Sequence, residues 1–209
     1  HHVSDYHLKL SLSRYAYLAI KRLIDLLMST VGLIFLSPIL LFLAAIIKIS
    51  SPGPALFTQT RVGKNGRMFT LYKLRTMQID AEDSGPVFAT LDDSRITRVG
   101  RNLRRLRIDE WPQFWNVLIG NMSIVGPRPE RPEWVDSFKT RIPNYELRQL
   151  VRPGITGWAQ INQGYASGEK ESETKLEYDL YYIKWMGFTI DVLVILRTLF
   201  VLGKGLGAK

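Results

Sequence analysis

Apolar positions are spread unevenly along this chain. From Val31 to Ile47 they run almost unbroken as VGLIFLSPILLFLAAII, with Ser37 the one polar side chain in 17 residues. At helical rise that stretch covers about 26 Å, slightly short of a hydrocarbon core of about 30 Å. A secretory signal fits poorly, because no small-residue cleavage site follows and the stretch runs into Lys48. The options are a spanning helix, a buried soluble helix, or a membrane element that enters and leaves on one side. Pro38 removes a backbone donor in the middle and predicts a kink near Ile34–Ser37, where the Ser37 hydroxyl can satisfy a freed carbonyl. Lys9, Arg14, Lys21 and Arg22 precede the stretch, and Lys48, Arg61, Lys64 and Arg67 follow it. Positive residues at both ends prefer the same face of a membrane, which favours a re-entrant helix–break–helix over a straight span.

After Ser50-Ser51-Pro52-Gly53-Pro54 the pattern changes to strands. Ala55–Arg61 and Arg67–Met77 are rich in β-formers, and the Asn65-Gly66 pair between them predicts a hairpin. Lys73 and Arg75 alternate along the second strand and so share a face. Ala81–Asp93 is acidic and reads as a loop. Arg95, Arg98, Arg101 and Arg104 then recur at helical spacing, predicting a guanidinium stripe. Asp109 to Asn121 reads as an amphipathic helix with Asp109 as its N-cap, Pro112 in its first turn and Gly120-Asn121 at its end. Glycines in Val151–Asn162 suit a close approach of backbone to a ligand or to another stretch of chain. Glu169–Lys184 is a charged helical segment in which Asp179 sits among Tyr178, Tyr181 and Tyr182. Asp191 and Arg197 interrupt the last apolar run, Phe188–Leu202, which reads as interfacial.

Charge and composition narrow the chemistry. Lys and Arg number 28 against 19 Asp and Glu, a net charge of +9 that points to polyanions. Nucleic acid fits poorly, because the arginine-rich stretch lacks interleaved aromatic residues. With no cysteine and only three histidines, His1, His2 and His7, thiolate metal sites and a Ser-His-Asp triad have no material. His1 and His2 read as a tag remnant, and residues 1–16 as a lead-in that is the cut end of a longer protein. No phosphate-binding glycine motif of the Rossmann or P-loop type occurs. What remains is carboxylate chemistry. Asp109-Glu110 directly follows the arginines, where it would serve as a helix cap, a metal ligand or a nucleophile. Arg128, held between Pro127 and Pro129, presents its guanidinium on a rigid loop.

These pieces occur in an order that resembles one family. Lys21-Arg22 with Asp25, Ser37-Pro38, Tyr72-Lys73 with Arg75-Thr76-Met77, Asp109-Glu110-Trp111-Pro112-Gln113, Gly126-Pro127-Arg128-Pro129 and Arg152-Pro153-Gly154-Ile155-Thr156-Gly157 are similar to the bacterial sugar transferases. These are the monotopic polyprenol-phosphate phosphoglycosyl transferases that start surface glycan assembly. The match runs from about Lys21 to Asp191; Trp111 departs from it, standing where the family often has Leu. The resemblance implies an α+β fold, with a re-entrant membrane helix over 17–49 and a compact helical domain with its β-hairpin over 50–187. An interfacial segment over 188–209 would follow. It also implies a catalytic pair, Asp109 and Glu110, with Asp109 the nucleophile and both carboxylates available to Mg²⁺. Lys73, Arg75, Arg104, Arg128 and Asp179 would meet substrate. A UDP-sugar would give its phosphosugar to polyprenol phosphate through an aspartyl-phosphosugar, releasing UMP. Direct ternary displacement and a non-catalytic, membrane-anchored anion-binding protein are the alternatives. The implied location is the cytoplasmic face of the bacterial inner membrane, against anionic headgroups. Sugar identity and oligomeric state, a dimer included, stay open.

Overall fold

A computed structural model describes residues 12–81, 85, 93–163 and 169–203. The first 11 residues and most of the acidic loop expected over Ala81–Asp93 lie outside the described residues. The apolar stretch belongs to one helix, α1 (Leu12–Ser50, 39 residues). Among the described residues it is the one helix long and apolar enough to cross a membrane. Pro38 lies inside this helix, which continues through it rather than dividing into two helices. Ser37 Oγ donates to the Ile34 carbonyl at 3.1 Å, the group that Pro38 leaves without its N–H partner. One turn thereby keeps its acceptor satisfied where water would be scarce.

Two separate faces of α1 meet the rest of the chain. Tyr17, Asp25 and Ser29, spaced by eight and then four residues, form a buried stripe near its start. Toward its end Leu40, Leu43, Ala44 and Ile47 pack with Ala55, Leu74 and Leu103. Between them Val31, Ile34, Phe35, Ile39, Leu41 and Phe42 are exposed. Polar ties fix the first half. Tyr17 and Lys21 donate to Asp191 Oδ2 at 2.8 and 2.7 Å, Arg22 to the Val117 and Leu118 carbonyls at 2.7 and 3.0 Å, and Asp25 accepts the Ile124 N–H at 3.0 Å.

The hairpin forms as the Asn-Gly signal predicts. Strands β1 (Leu56–Val62) and β2 (Met68–Leu74) are antiparallel, with Phe57 opposite Lys73 and Arg61 opposite Phe69. Asn65 and Gly66 both take positive φ, 56° and 74°, as the tight turn that matches strand twist requires. A second sheet was not anticipated: β3 (Ser123–Val125) and β4 (Gly154–Thr156) pair in parallel. Here the glycine reading has its answer, because a Cβ on Gly154 would collide with the Gly126 backbone.

Two expectations for the arginine-rich region fail. Helix α2 (Arg98–Arg105) starts at the Thr97 cap, so Arg95 stands outside it. Its guanidinium instead clamps Asp93 at 2.8 and 2.6 Å. A local carboxylate two residues away wins over helical periodicity, and the four-arginine stripe does not form. Arg107 then turns left-handed, with φ 53°, Ile108–Glu110 make one 3₁₀ turn, and α3 (Gln113–Leu118) begins after Pro112. Asp109 is therefore not the cap of α3. The helix does end near Gly120, at φ 92°, with the Asn121 and Met122 N–H groups both donating to the Asn116 carbonyl. Helices α4 (Pro132–Arg141), α5 (Trp158–Asn162), α6 (Glu169–Trp185) and α7 (Phe188–Gly203) complete the described chain. Its main core gathers Leu71, Val117, Met122, Val125, Tyr182, Ile183 and Val194 from β2, α3, β3, α6 and α7.

Candidate active site

A cleft of about 440 Å³ lies along the hairpin face that carries Phe57, Gln59, Arg61 and Lys73. Its lining includes nine Lys or Arg side chains against three carboxylates, Asp109, Glu110 and Glu130. That balance attracts an anion of more than one charge. The left-handed turn at Arg107 sets Asp109 and Glu110 into the cleft, where both are buried.

The two adjacent carboxylates have different surroundings. Both oxygens of Glu110 accept from Arg128, Oε2 from Nη1 at 3.2 Å and Oε1 from Nη2 at 2.6 Å. Arg107 Nη1 adds an ion pair at 3.5 Å. Burial by itself would raise the Glu110 carboxyl, but Arg128 and Arg107 outweigh it and hold it well below the usual range. Asp109 accepts no hydrogen bond from a described residue. Burial, reinforced by the neighbouring Glu110 charge, pushes its carboxyl up, against the pull of Lys73, Arg104 and Arg128. Asp109 is not at the cap of α3, so these cations, and not a helix end, are what oppose the rise. Lys73 is drawn down to about 8, by burial first and by Arg128 and Arg61, against the pull of Glu110 and Asp109.

Arg104 and Arg75 line the same cleft but are tied by different contacts. Arg104 Nε donates to Thr76 Oγ1 at 2.8 Å. Helix α2 sits tightly on this point, since a Cβ on Gly100 would collide with the Thr76 carbonyl. Arg75 spends its guanidinium on the end of α1, donating to the Pro52 carbonyl at 2.6 Å and to the Ser51 carbonyl and hydroxyl at 2.9 and 2.7 Å. It fastens the end of the apolar helix to the cleft.

Asp179 does not line the cleft. It is buried in α6, where its Oδ2 accepts from Arg148 Nε and Nη2 at 3.1 and 2.6 Å. Burial raises its carboxyl despite the Arg148 charge. The same Arg148 Nη2 donates to the Arg128 carbonyl at 3.0 Å, so Asp179 reaches the cleft through Arg148, by the backbone that carries Arg128 and by the Arg148–Glu130 pair.

That backbone is held at four consecutive carbonyls. Pro127 accepts from the Gly154 N–H at 2.9 Å, and Glu130 from the Val62 N–H at 3.0 Å. Between them, Arg128 accepts from Arg148 and Pro129 from Arg61 Nη1 at 2.9 Å. The flanking prolines restrict φ, and donors from three separate elements, β1, β4 and the turn that carries Arg148, pin the loop. Glu130 gathers Lys175, Arg148 at 3.5 Å and Arg61 at 3.9 Å in one ion cluster. Arg61, Glu130, Arg148 and Lys175 were not singled out from the sequence. Arg61 shares the period-two face of Phe57 and Gln59, and Glu130 adjoins the Pro-Arg-Pro run, so each had a local signal. Arg148 and Lys175 had none.

As for metal, no group of three or more acidic or histidine ligands occurs among the described residues. A protein-built cage is not what the donor set offers. One buried carboxylate that accepts no hydrogen bond from a described residue, facing an anion-attracting cleft, does suit Mg²⁺, which commonly takes one or two carboxylates and completes its shell with substrate phosphates and water.

The comparisons with known proteins agree on one family. The model described as bacterial sugar transferase matches residues 16–205. An Aeromonas hydrophila protein, UDP-N-acetylgalactosamine-undecaprenyl-phosphate N-acetylgalactosaminephosphotransferase, is 47% identical over 193 residues, covering 92% of this chain and 46% of that protein. The UDP-glucose:undecaprenyl-phosphate glucose-1-phosphate transferase of Escherichia coli K12 is 42% identical, over 87% of this chain and 39% of its own length. Galactosyl transferase CpsE of Streptococcus agalactiae is 38% identical, over 94% and 45%. The chain thus spans about half or less of the length of these relatives.

Proposed function

The chain belongs to the bacterial sugar transferase family, and from that membership we propose that it moves a phosphosugar from a UDP-sugar to a polyprenol phosphate. The observation that carries the reading is the unequal pair. Glu110 is locked by Arg128, while the buried carboxylate beside it accepts no hydrogen bond from a described residue and stands among Lys73, Arg104 and Arg128.

In the first step an Asp109 oxygen attacks the sugar-bearing phosphorus. The bond from that phosphorus to the bridging oxygen breaks, and its electron pair leaves on UMP. In the second step an oxygen of polyprenol phosphate attacks the same phosphorus and the Asp109–phosphorus bond breaks, restoring the carboxylate and giving polyprenyl diphosphate sugar. Dividing one displacement between two anions into two steps is nucleophilic catalysis. Like charges meet in both steps, so positive groups aimed at the phosphoryl oxygens dominate the barrier. Lys73, Arg104 and Arg128 supply them. Mg²⁺, held by Asp109 and donor phosphate oxygens, would add neutralising charge when bound. The relatives named above handle N-acetylgalactosamine, glucose and galactose, so membership alone does not select the sugar.

The lipid acceptor fits the other end of the cleft. Pro54, Leu56 and Ile79 form an apolar lip there, beside the end of α1 that Arg75 holds. Both halves of α1 contact the same body while its apolar middle is exposed, which supports a helix that enters the bilayer and returns to the cytoplasmic face. Purified protein incubated with UDP-sugars and polyprenol phosphate tests the activity by UMP release. With donor alone, a phosphosugar should appear covalently on Asp109. Turnover without that adduct would favour direct displacement, and no release from any UDP-sugar would overturn the reading.

A further inference from the structure

The cleft has a directional order that assigns a role to a residue outside the family motifs quoted above. It follows β1 from Phe57, opposite Lys73, to Arg61, about 14 Å of strand. At the Lys73 end stand Asp109 and Arg104. Arg128 acts on both Asp109 and Lys73, and at the Arg61 end, where Arg61 holds the Pro129 carbonyl, the chain passes through Glu130 into α4. There Trp134 lines the cleft, half-buried, one residue before Val135, which packs on Val62. Its indole stacks at 24° on Phe138, with ring centroids 6.4 Å apart, and Phe138 packs on Tyr145 at 5.3 Å. Tyr145 accepts from Arg148 at 2.8 Å, the same arginine that holds the Arg128 carbonyl. A flat aromatic surface is thus built into the scaffold that aims Arg128, six residues from it in the chain.

We propose that Trp134 is the stacking platform for the nucleobase of the donor. The inference rests on the function proposed above and extends it. In a nucleoside diphosphate sugar the attacked phosphorus, the leaving phosphate, the ribose and the base follow one another in a line. Asp109 with the cations around it, the Arg61–Glu130 cluster and Trp134 range in the same sense from the Lys73 end of the hairpin to α4. The apolar lip at the opposite end adjoins α1 and suits the lipid, which leaves the α4 end for the planar group. Base–aromatic stacking is worth enough to matter for affinity and tolerates any base, so selection of uracil would need other contacts.

The test uses the full chain in detergent and two probes, UMP and ribose 5-phosphate, which share a phosphate and a ribose but differ in the base. Trp134→Leu keeps an apolar side chain on the Phe138 packing and removes the π-face, whereas Trp134→Phe keeps a ring. Trp134→Leu should weaken UMP about tenfold, leave ribose 5-phosphate within twofold, and raise KM for the UDP-sugar more than it lowers kcat. Trp134→Phe should recover most of the UMP affinity. Unchanged UMP binding in Trp134→Leu, or an equal loss for both probes, overturns the platform while leaving the transferase reading intact. Wild-type protein that binds neither UMP nor UDP-sugar overturns both.

Discussion

Arg128 and Glu110 meet through both ends of both groups: two guanidinium nitrogens donate to two carboxylate oxygens at 3.2 and 2.6 Å. This fork settles which member of the acidic pair is committed. Glu110→Gln keeps the shape but loses the charge that fixes Arg128. Stability should fall by about 1–3 kcal/mol, measured by denaturant unfolding, and KM for the donor should rise. The Glu110 charge raises the Asp109 carboxyl, so the acidic limb of kcat/KM should move to lower pH in this variant.

Asp109→Asn separates chemistry from folding. No described residue donates to this carboxylate, and its charge is buried beside another. Its loss should leave the melting temperature unchanged or higher while UMP release falls at least about a thousandfold. A melting temperature that drops sharply would make Asp109 a structural residue.

The pH profile of kcat/KM should be bell-shaped, with a sign fixed by two groups. Asp109 attacks as a carboxylate and its carboxyl is raised, so activity is lost on acidification at a pH above the usual aspartate value. Lys73 is charged below about 8 and neutral above it, so the alkaline limb should fall near that pH. Lys73→Arg should move this limb to higher pH, because a guanidinium keeps its charge.

Asp179 acts on the cleft from behind it. Asp179→Ala would leave Arg148 as a buried cation without its main counter-ion, at a cost of about 3–5 kcal/mol. One of the four holds on the Arg128 loop would loosen at the same time. Thermal unfolding and donor KM should worsen together, and a variant of wild-type stability would show that the Arg148–Asp179 pair is dispensable.

The absence of cysteine makes the path of α1 directly testable. Leu12→Cys and Ile49→Cys place single thiols at exposed positions near its two ends, 88% and 87% accessible. In sealed vesicles with the catalytic domain outside, a membrane-impermeant maleimide should label both. Protection of one end only would indicate a helix that spans.

The sequence by itself determined the features whose causes lie within a few residues. Asn65-Gly66 fixed the hairpin through positive φ, and Gly120 ended α3 for the same reason. The apolar run with Ser37 and Pro38 defined the exposed helix and the repaired carbonyl, and a pair of prolines marked Arg128 as a rigidly held cation. Periodicity misled where a local partner was stronger: Arg95 left the helical stripe because Asp93 was two residues away. Only the tertiary structure decided what each charge does. The contacts that distinguish Glu110 from Asp109, turn Asp179 inward and hold the Arg128 carbonyl join residues 18, 31 and 20 positions apart. No spacing rule encodes such pairs. In a buried, low-dielectric setting they set which carboxylate is held and which stays uncommitted.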